Sequence, residues 1–112
     1  MQRSEIWLVN LDPTIGSEIR KTRPAVIVSS DLVGILPVKI IVPFTGWKER
    51  YDHAPWMVRV DPDETNGLTK PSSADALQIR SVSQQRLVQK LGVLSSFQVA
   101  QIVQAIMTTL QR

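Results

Sequence analysis

The sequence predicts a strongly bent sheet of short antiparallel strands, forming a small barrel, with one α-helix at the C-terminal end. Three observations predict this class. Short apolar segments alternate with a period of two and are separated by turns rich in Gly, Pro and Ser. The last segment has helical periodicity instead. The 112 residues contain no repeat, low-complexity tract or shift in composition, so residues 1–112 are expected to form one domain.

The first two strands have the clearest pattern. The segment Glu5–Leu11 alternates between two apolar faces. One face carries Trp7, Val9 and Leu11, and the other carries Ile6 and Leu8. The segment Ala25–Ser30 is apolar almost without interruption, which predicts a strand buried on both faces.

The later strands are shorter and contain more turn residues. Val38–Phe44 is the next strand, and Pro43 within it indicates an edge position or a bulge. The remaining strands are expected at Trp56–Val60, Ala74–Arg80 and Leu87–Leu94. The last of these fits a strand or a helix by periodicity, and Gly92 favours the strand. Surface loops are expected over residues 12–24, 45–55 and 61–73.

A helix is expected over the C-terminal segment, with Ser95 or Ser96 as its N-cap. Its apolar stripe comprises Val99, Ile102, Val103, Ile106 and Leu110. Glutamines and threonines occupy the opposite face, so we expect the stripe to pack against the sheet.

Composition narrows the possible functions. The chain has no cysteine and one histidine, which excludes disulfides and thiolate or histidine-rich metal sites, and no metal or cofactor is expected. There is no apolar signal segment or run of membrane-spanning length, which favours a cytoplasmic protein without membrane contact. The net charge of +3 leans mildly towards a polyanionic partner.

A polar loop leads to Arg23 at the root of the second strand. A guanidinium group can hold a phosphate through two parallel hydrogen bonds. If the second and third strands pair, Arg23 comes close to Thr45. Ser17 and Glu18 belong to the same loop, and together these residues would form a phosphate-handling cluster. Two simpler interpretations stay open: Arg23 in an ion pair with Glu18 or Asp31, and Thr45 as a turn residue.

The loop after the third strand is rich in aromatic and basic side chains. Trp47 is the aromatic residue best placed for exposure, and Lys48 and Arg50 precede Tyr51. Interleaved aromatic and basic side chains are typical of surfaces on which single-stranded bases stack.

Other aromatic and titratable residues have plainer interpretations. Trp7 and Trp56 alternate with apolar neighbours and are expected in the core. His53 lies in a polar loop and is expected to be solvated, although its ordinary pKa suits proton transfer near neutrality.

Short motifs run in order through nearly the whole chain. The first are Glu5-Ile-Trp-Leu-Val-Asn-Leu-Asp-Pro-Thr-Ile-Gly-Ser-Glu and Arg23-Pro-Ala-Val-Ile-Val-Ser. The later ones are Pro43-Phe44-Thr45, Gly67-Leu68 with Pro71-Ser72, Gln78-Ile79-Arg80-Ser81-Val82 and Arg86-Leu87. In this order and with these gaps, the chain resembles the MazF/PemK toxins, the ribosome-independent endoribonucleases of bacterial toxin–antitoxin pairs.

The resemblance implies an SH3-like β-barrel with a C-terminal helix, of the MazF/CcdB-like kind, acting as a homodimer. It implies a type II toxin that cleaves single-stranded RNA at short sequence motifs without a metal. In that reaction the 2′-hydroxyl attacks the adjacent phosphorus and leaves a cyclic phosphate and a 5′-hydroxyl. The implied partners are single-stranded RNA, bound in a groove across the dimer, and a cognate antitoxin whose disordered tail blocks the groove.

The same resemblance assigns candidate residues. Arg23 and Thr45 match the family's catalytic arginine and threonine. Glu18 is a third catalytic candidate, because arginine stays protonated near neutrality and is a poor base, and Glu18 or His53 could take the proton. Among the RNA-binding candidates, Ser17, Gln78 and Arg80 match family residues. The composition of the two loops adds Arg20, Lys21, Trp47, Lys48, Arg50 and His53.

Two alternatives belong to other functional classes. A gyrase poison of the CcdB type shares the barrel but depends on a terminal Trp-Gly-Ile segment, whereas this sequence ends Thr-Thr-Leu-Gln-Arg. The second alternative is a non-catalytic SH3-like binding module. Only the presence of the catalytic-cluster residues argues against it. One departure from the family pattern is Leu77, where some relatives have an aspartate. A mechanism that uses that aspartate as a base has no counterpart here, and Asp75 is the nearest acid.

Overall fold

The computed structural model describes residues 1–111, which form a bent antiparallel sheet with one helix packed on it. The strands are β1 (Glu5–Asn10), β2 (Thr22–Ile27), β3 (Val38–Gly46), β4 (Met57–Val60), β5 (Ser72–Asp75), β6 (Arg80–Ser83) and β7 (Leu87–Val93). The helix α1 spans Ser96–Leu110, and short 3₁₀ turns span Asp31–Val33, Glu49–His53, Ala76–Gln78 and Gln84–Arg86.

The strands are hydrogen-bonded in the order β4-β5-β3-β2-β1-β7, and β6 pairs with the first half of β3. All of these pairings are antiparallel, so the predicted sheet class and C-terminal helix are confirmed. Within the described residues β4 and β7, at the two ends of this order, do not pair. The sheet is therefore bent but not closed into a complete barrel. Instead α1, which follows β7 directly, packs against β4.

Pro43 lies where β3 changes its partner on one side. β3 pairs with β6 up to Ile41 and with β5 from Phe44 onward. On the other side β3 pairs with β2, and Ala25 lies opposite Pro43. Proline has no N–H and cannot donate a hydrogen bond to a neighbouring strand. At the break between β6 and β5 that hydrogen bond is least needed. Pro43 therefore belongs to an inner strand, and the predicted edge position was wrong.

Apolar side chains pack on both faces of the sheet. The face beneath α1 carries Ile6, Val26, Val28, Val42, Phe44, Val60, Leu68 and Ala74, which pack with Leu94, Val99 and Ile102. The other face carries Val9, Leu11, Ala25, Ile27, Ile41, Val82 and Leu87, with Trp7 packed against them. This division follows the period-two alternation of β1 and shows that β2 is buried on both faces, as predicted.

The helix begins at a reciprocal cap. Ser95 Oγ accepts a hydrogen bond from the Gln98 N–H at 3.1 Å, and Gln98 Oε1 accepts one from the Ser95 N–H at 3.1 Å. The first half of the predicted stripe is buried, whereas Leu110 in the last turn is 76% exposed. Ala105 completes the buried face one turn after Ile102.

The strand expected over Ala74–Arg80 is divided in two. β5 ends at Asp75, whose Oδ1 accepts a hydrogen bond from the Leu77 N–H at 3.1 Å. This cap starts the 3₁₀ turn Ala76–Gln78, and β6 begins only after it. A side-chain cap overrode the apolar pattern, so the prediction of one continuous strand was wrong.

Residues 61–71 are mostly exposed, as predicted for a surface loop, with Asn66 and Leu68 as buried exceptions. The side chain of Asn66 is satisfied by hydrogen bonds with the Asp61 carbonyl and the Leu68 N–H. One further expectation about burial was wrong. Trp56, expected in the core, is 38% exposed because it lies just before β4 rather than within it.

A buried carboxylate, Glu5, joins the start of the chain to β7. Its Oε1 accepts hydrogen bonds from the Gln2 N–H at 3.1 Å and Trp7 Nε1 at 2.9 Å, and its Oε2 lies 3.3 Å from Lys90 Nζ. The amino group of Met1 lies 3.5 Å from Oε1. Burial by itself raises the pKa of Glu5. The hydrogen bonds from Trp7, Gln2 and Lys90 together outweigh that effect and lower the pKa to about 2.

We expect Glu5 to make the fold sensitive to acid. Its folded pKa of about 2 lies below the ordinary 4.5, so the carboxylate stabilises the fold above pH 4.5 and loses that contribution as the pH falls towards 2. The loss should be on the order of 2 kcal/mol, because solvent screens both ion pairs. At neutral pH, the Glu5→Gln variant should melt at a lower temperature than the wild type. Its melting temperature should also fall less than that of the wild type between pH 5 and pH 3. Equal pH dependence of the two proteins in thermal melts would contradict this.

Candidate active site

Arg23 and Thr45 come together at one end of the sheet. Both lie within strands, because β2 begins earlier and β3 ends later than the sequence predicts. The pairing of β2 with β3 ends with Ala25 opposite Pro43, and Arg23 and Thr45 each lie two residues beyond this pair, at the same end of the two strands. Both residues line one small cavity of about 50 Å³. The pairing of β2 with β3 therefore produces the expected proximity.

The guanidinium group of Arg23 is held at one nitrogen. Its Nε donates a hydrogen bond to the Arg20 carbonyl at 3.3 Å. Within residues 1–111 Arg23 makes no ion pair, so the structure does not contain the pair with Glu18 or Asp31 that the sequence left open. Asp31 Oδ1 instead accepts a hydrogen bond from the Arg3 N–H at 2.8 Å. The terminal nitrogens of Arg23 are therefore available to an anion.

Two lysines join Arg23 around a wider cavity. This second cavity, of about 490 Å³, is lined by Lys21, Arg23 and Lys70, and Lys70 lines the smaller cavity as well. Among the described residues, no Asp or Glu lines either cavity. We name the two cavities together the cationic cleft. Three cations without a lining carboxylate create a positive potential suited to a polyanion.

Sequence analysis missed Lys70. This residue lies in the loop of residues 61–73, far along the chain from Arg23, and no spacing rule connects the two. The one available signal was its position between the Gly67-Leu68 and Pro71-Ser72 motifs. The fold brings it to the cleft because β5, which follows this loop, pairs with the end of β3.

Lys21 enters the cleft in an unusual backbone conformation. Its φ of 70° lies in the left-handed region, which costs free energy in a residue other than glycine. Its N–H donates to Asp12 Oδ1 at 3.1 Å, and its carbonyl accepts from the Leu11 N–H at 2.9 Å. These two bonds hold Lys21 in place beside Arg23.

The loop of residues 12–24 is fixed by Gln78. Gln78 Oε1 accepts a hydrogen bond from the Ile19 N–H at 3.2 Å, and its Nε2 donates one to the Ser17 carbonyl at 3.2 Å. The 3₁₀ turn Ala76–Gln78 thus carries a side chain that bonds two points of this loop. Gln78, proposed from the sequence as an RNA-binding residue, acts here as a clamp.

Two arginines hold the base of the same loop. Arg80 donates a hydrogen bond to the Leu11 carbonyl at 3.2 Å. Arg86 donates to the carbonyls of Asn10 and Asp12. Arg80 was a candidate for RNA contact, and Arg86 had no assigned role although it belongs to the Arg86-Leu87 motif. Both guanidinium groups are partly used to fix the path of the loop.

Two carboxylates of this region bond backbone groups. Glu18 Oε1 accepts a hydrogen bond from the Ile15 N–H at 2.8 Å, and Glu18 lines a separate cavity of about 210 Å³ beside Arg80. Burial raises the pKa of Asp75, although backbone N–H groups of the following turn partly oppose this. Neither carboxylate lines the cationic cleft.

The aromatic residues form a separate cluster. Trp47, expected to be exposed, is half-buried. The Arg59 guanidinium lies 5.0 Å from the centre of its ring, and the Tyr51 ring meets it edge-on at 6.0 Å. Arg50 lies 5.5 Å from the centre of the Tyr51 ring. His53 and Trp47 line a cavity of about 390 Å³ together with Glu49, Asp52 and Arg59. Arg59 was not predicted from the sequence as a site residue.

The other RNA-binding candidates lie on the surface. Ser17, Arg20 and Lys48 are exposed, and the first two contribute backbone carbonyls to the bonds described above. Across residues 1–111, no three His, Asp or Glu side chains gather as a metal ion would require. In the same part of the chain, no helix combines the length and apolar character needed to cross a membrane.

Comparison with known proteins places the chain in a family. Residues 2–110 match the family described as the PemK-like, MazF-like toxin of type II toxin–antitoxin systems. The chain belongs to this family. Its relatives include the endoribonuclease MazF9 of Mycobacterium tuberculosis (strain ATCC 25618 / H37Rv), which is 36% identical over 112 residues, 95% of this chain and 92% of the relative.

Solved structures of MazF toxins have the same fold. MazF from Deinococcus radiodurans superposes with a TM-score of 0.80 at 20% identity, covering 98% of this chain and 96% of that one. An endoribonuclease in complex with its cognate antitoxin, from Mycobacterial species, superposes with a TM-score of 0.77 at 20% identity, covering 98% and 94%. These structures confirm the fold, and the family match with the MazF9 relative confirms the resemblance to MazF/PemK toxins seen in the motifs.

We expect Gln78→Ala to loosen the loop of residues 12–24 without unfolding the protein. The substitution removes both hydrogen bonds to Ile19 and Ser17, each worth about 1 kcal/mol, while the sheet keeps its partners. Hydrogen exchange should rise at least several-fold at the Ile19 amide, with a melting temperature only a few degrees lower. Gln85→Ala, at an exposed position of the next turn, is the matched control. Unchanged exchange at Ile19 would show that Gln78 is not the clamp.

Proposed function

We propose that this chain is the toxin of a type II toxin–antitoxin pair and cleaves single-stranded RNA at a short sequence motif without a metal. The observation that carries the proposal is that Arg23 and Thr45 share a cavity lined by cations and by no carboxylate among the described residues. Membership of a family whose curated relatives are endoribonucleases supports it.

The reaction fits the side chains of the cleft. The 2′-hydroxyl loses its proton and bonds the adjacent phosphorus, while the bond from phosphorus to the 5′-oxygen breaks and that oxygen takes a proton from water. Negative charge builds on the non-bridging oxygens in the transition state. The free guanidinium nitrogens of Arg23 and the hydroxyl of Thr45 donate hydrogen bonds to those oxygens.

Proton removal from the 2′-hydroxyl requires a different group, because arginine remains protonated near neutrality. We assign this step to Glu18, which lies on the loop that leads to Arg23. Glu18 lines the neighbouring cavity beside Arg80, so the loop must shift when RNA binds to bring its carboxylate to the cationic cleft. Glu18 Oε1 would exchange its hydrogen bond with Ile15 for the substrate hydroxyl. His53 lies in the cavity beside Trp47 instead and is assigned to RNA contact.

The RNA strand would extend from the cationic cleft towards the aromatic cluster around Trp47. Stacking of bases on aromatic rings and attraction of phosphates to cations are both independent of a metal. We assign RNA contacts to Ser17, Arg20, Lys21, Trp47, Lys48, Arg50, His53, Gln78 and Arg80.

The proposed partners follow from the same surface. One proposed partner is a cognate antitoxin. Its acidic, disordered tail would lie in the cationic cleft, where the positive potential favours it. We also propose that the protein forms a homodimer and acts in the cytoplasm. Exposed apolar side chains on the β2–β3 connection support a protein contact, since contiguous apolar surface marks interaction sites. These side chains are Leu32, Val33, Ile35 and Leu36.

Arg23→Ala should abolish cleavage and leave the fold intact. Its guanidinium makes one hydrogen bond within the described chain, so its loss should change the melting temperature little. The test is incubation of purified wild type and variant with a long unstructured RNA in excess EDTA, followed by mapping of 5′ ends. Discrete cuts at a recurring motif by the wild type alone support the proposal. Equal turnover by Arg23→Ala would remove Arg23 from the mechanism.

Wild type that is folded but cuts no RNA in EDTA would overturn the proposed reaction. A gyrase-trapping assay would then test the CcdB-type alternative.

Thr45→Val tests the hydroxyl with little change in volume. Loss of one donor to the developing charge should lower kcat by about 100-fold. Single-turnover cleavage of an RNA that contains the mapped motif measures the effect. A rate within about threefold of wild type, under about 1 kcal/mol, would exclude a catalytic role for the Thr45 hydroxyl.

A further inference from the structure

Arg23 and Lys70 are the two cations of the described chain that line both cavities of the cationic cleft. Lys70 borders the small cavity that contains Thr45 and the wider cavity that contains Lys21. No other lysine of the described chain lines the small cavity. Lys70 is therefore placed to act on whatever Arg23 and Thr45 hold.

The ammonium group of Lys70 lies against the backbone beside Thr45. A Cβ atom added at Gly46, the next residue, would lie 3.4 Å from Lys70 Nζ and 3.6 Å from its Cε. These are ordinary van der Waals distances, and they show that the Lys70 side chain lies beside the end of β3. This position comes from the pairing of β3 with β5, which sets Gly46 opposite Ser72, two residues after Lys70.

Nothing within the described residues neutralises Lys70. It forms no ion pair there, and no Asp or Glu lines the cavities it borders. Two other strand cations do have acidic partners: Lys90 lies 3.3 Å from Glu5, and Arg59 lies 3.0 Å from Asp61. Water screens the repulsion between Lys70 and Arg23 because Lys70 is exposed, and a phosphate bound by both would be attracted to each.

We propose that Lys70 is a catalytic residue that binds the scissile phosphate together with Arg23. The inference rests on the proposed RNA cleavage. The attack of the 2′-hydroxyl adds one negative charge to the phosphate oxygens, after the proton has left. Arg23 offers a planar fork of donors and Lys70 a compact point charge, so the two cations hold different non-bridging oxygens.

The expected signature is an effect on kcat rather than on KM. The phosphate already carries one negative charge in the ground state, and a second develops only in the transition state. A cation held close to those oxygens therefore stabilises the transition state more than the bound substrate. A lysine that merely attracts the RNA backbone would change binding and its salt dependence instead.

The experiment compares Lys70→Met, Lys70→Arg and wild type on an RNA that contains the mapped motif, in excess EDTA. Lys70→Met keeps the length of the side chain and removes its charge. It should lower kcat by about 100-fold and change KM by less than about threefold. Lys70→Arg should recover kcat to within about tenfold. Lys90→Met, which removes a cation of β7 outside the cleft, should cut like wild type.

Two controls separate catalysis from structure and binding. Thermal melts should show Lys70→Met within a few degrees of wild type, since Lys70 is exposed. Fluorescence anisotropy with a non-cleavable RNA, methylated at the 2′-oxygen of the cleavage site, should give similar Kd values.

A kcat of Lys70→Met within about threefold of wild type would overturn the inference, and so would a loss confined to KM or Kd. Absence of cutting by wild type itself would overturn the proposed function and this inference together. The two failures are distinguishable, because the first is seen with an active wild type.

Discussion

The antiparallel register of β1, β2 and β3 is the constraint on which the candidate site depends. It sets Trp7 opposite Ala25 and Ala25 opposite Pro43, and so brings Arg23 to Thr45. Because side chains alternate with a period of two, a slip of one residue would move every side chain of β2 to the other face. Apolar clusters on both faces of the sheet exclude such a slip, since it would exchange the residues of the two cores.

The break in β3 pairing at Pro43 has a second consequence for the site. β5 leaves β3 at Asp75, and the chain makes a 3₁₀ turn before β6 pairs with the earlier half of β3. That turn and the strand after it carry Gln78 and Arg80, whose side chains bond the loop of residues 12–24. The loop that leads to Arg23 is therefore fixed by a distant segment, and its conformation depends on where the sheet changes partners.

Several carboxylates form hydrogen bonds or ion pairs at positions that do not line the cationic cleft. Glu5 bonds the chain start and Lys90. Asp63 accepts hydrogen bonds from the Thr65 and Asn66 N–H groups and from the Thr65 hydroxyl, which lower its pKa. Glu18 bonds a backbone N–H of its own loop. The net charge of +3 is modest, and the strong feature is this local separation of cations from carboxylates.

The sequence by itself determined the local elements and the family. Alternation predicted the two faces of β1 and the double burial of β2, and the serines at 95 and 96 predicted the start of α1. These features depend on neighbours within a few residues, so local propensity and pattern suffice to specify them. The motifs around Arg23 and Thr45 likewise identified the family, because their order and gaps lie in the chain itself.

Only the tertiary structure decided which distant side chains meet. Lys70 joins Arg23 through the β3–β5 pairing, and Gln78 reaches the loop of residues 12–24 through a turn that a single aspartate starts. Trp47 is half-buried because Arg59 and Tyr51 pack against it, and Trp56 is partly exposed because it lies just before β4. Such contacts join residues far apart in sequence, and the free energy that selects them comes from packing of the whole sheet. No local pattern carries that information, so it appears only when the chain is folded.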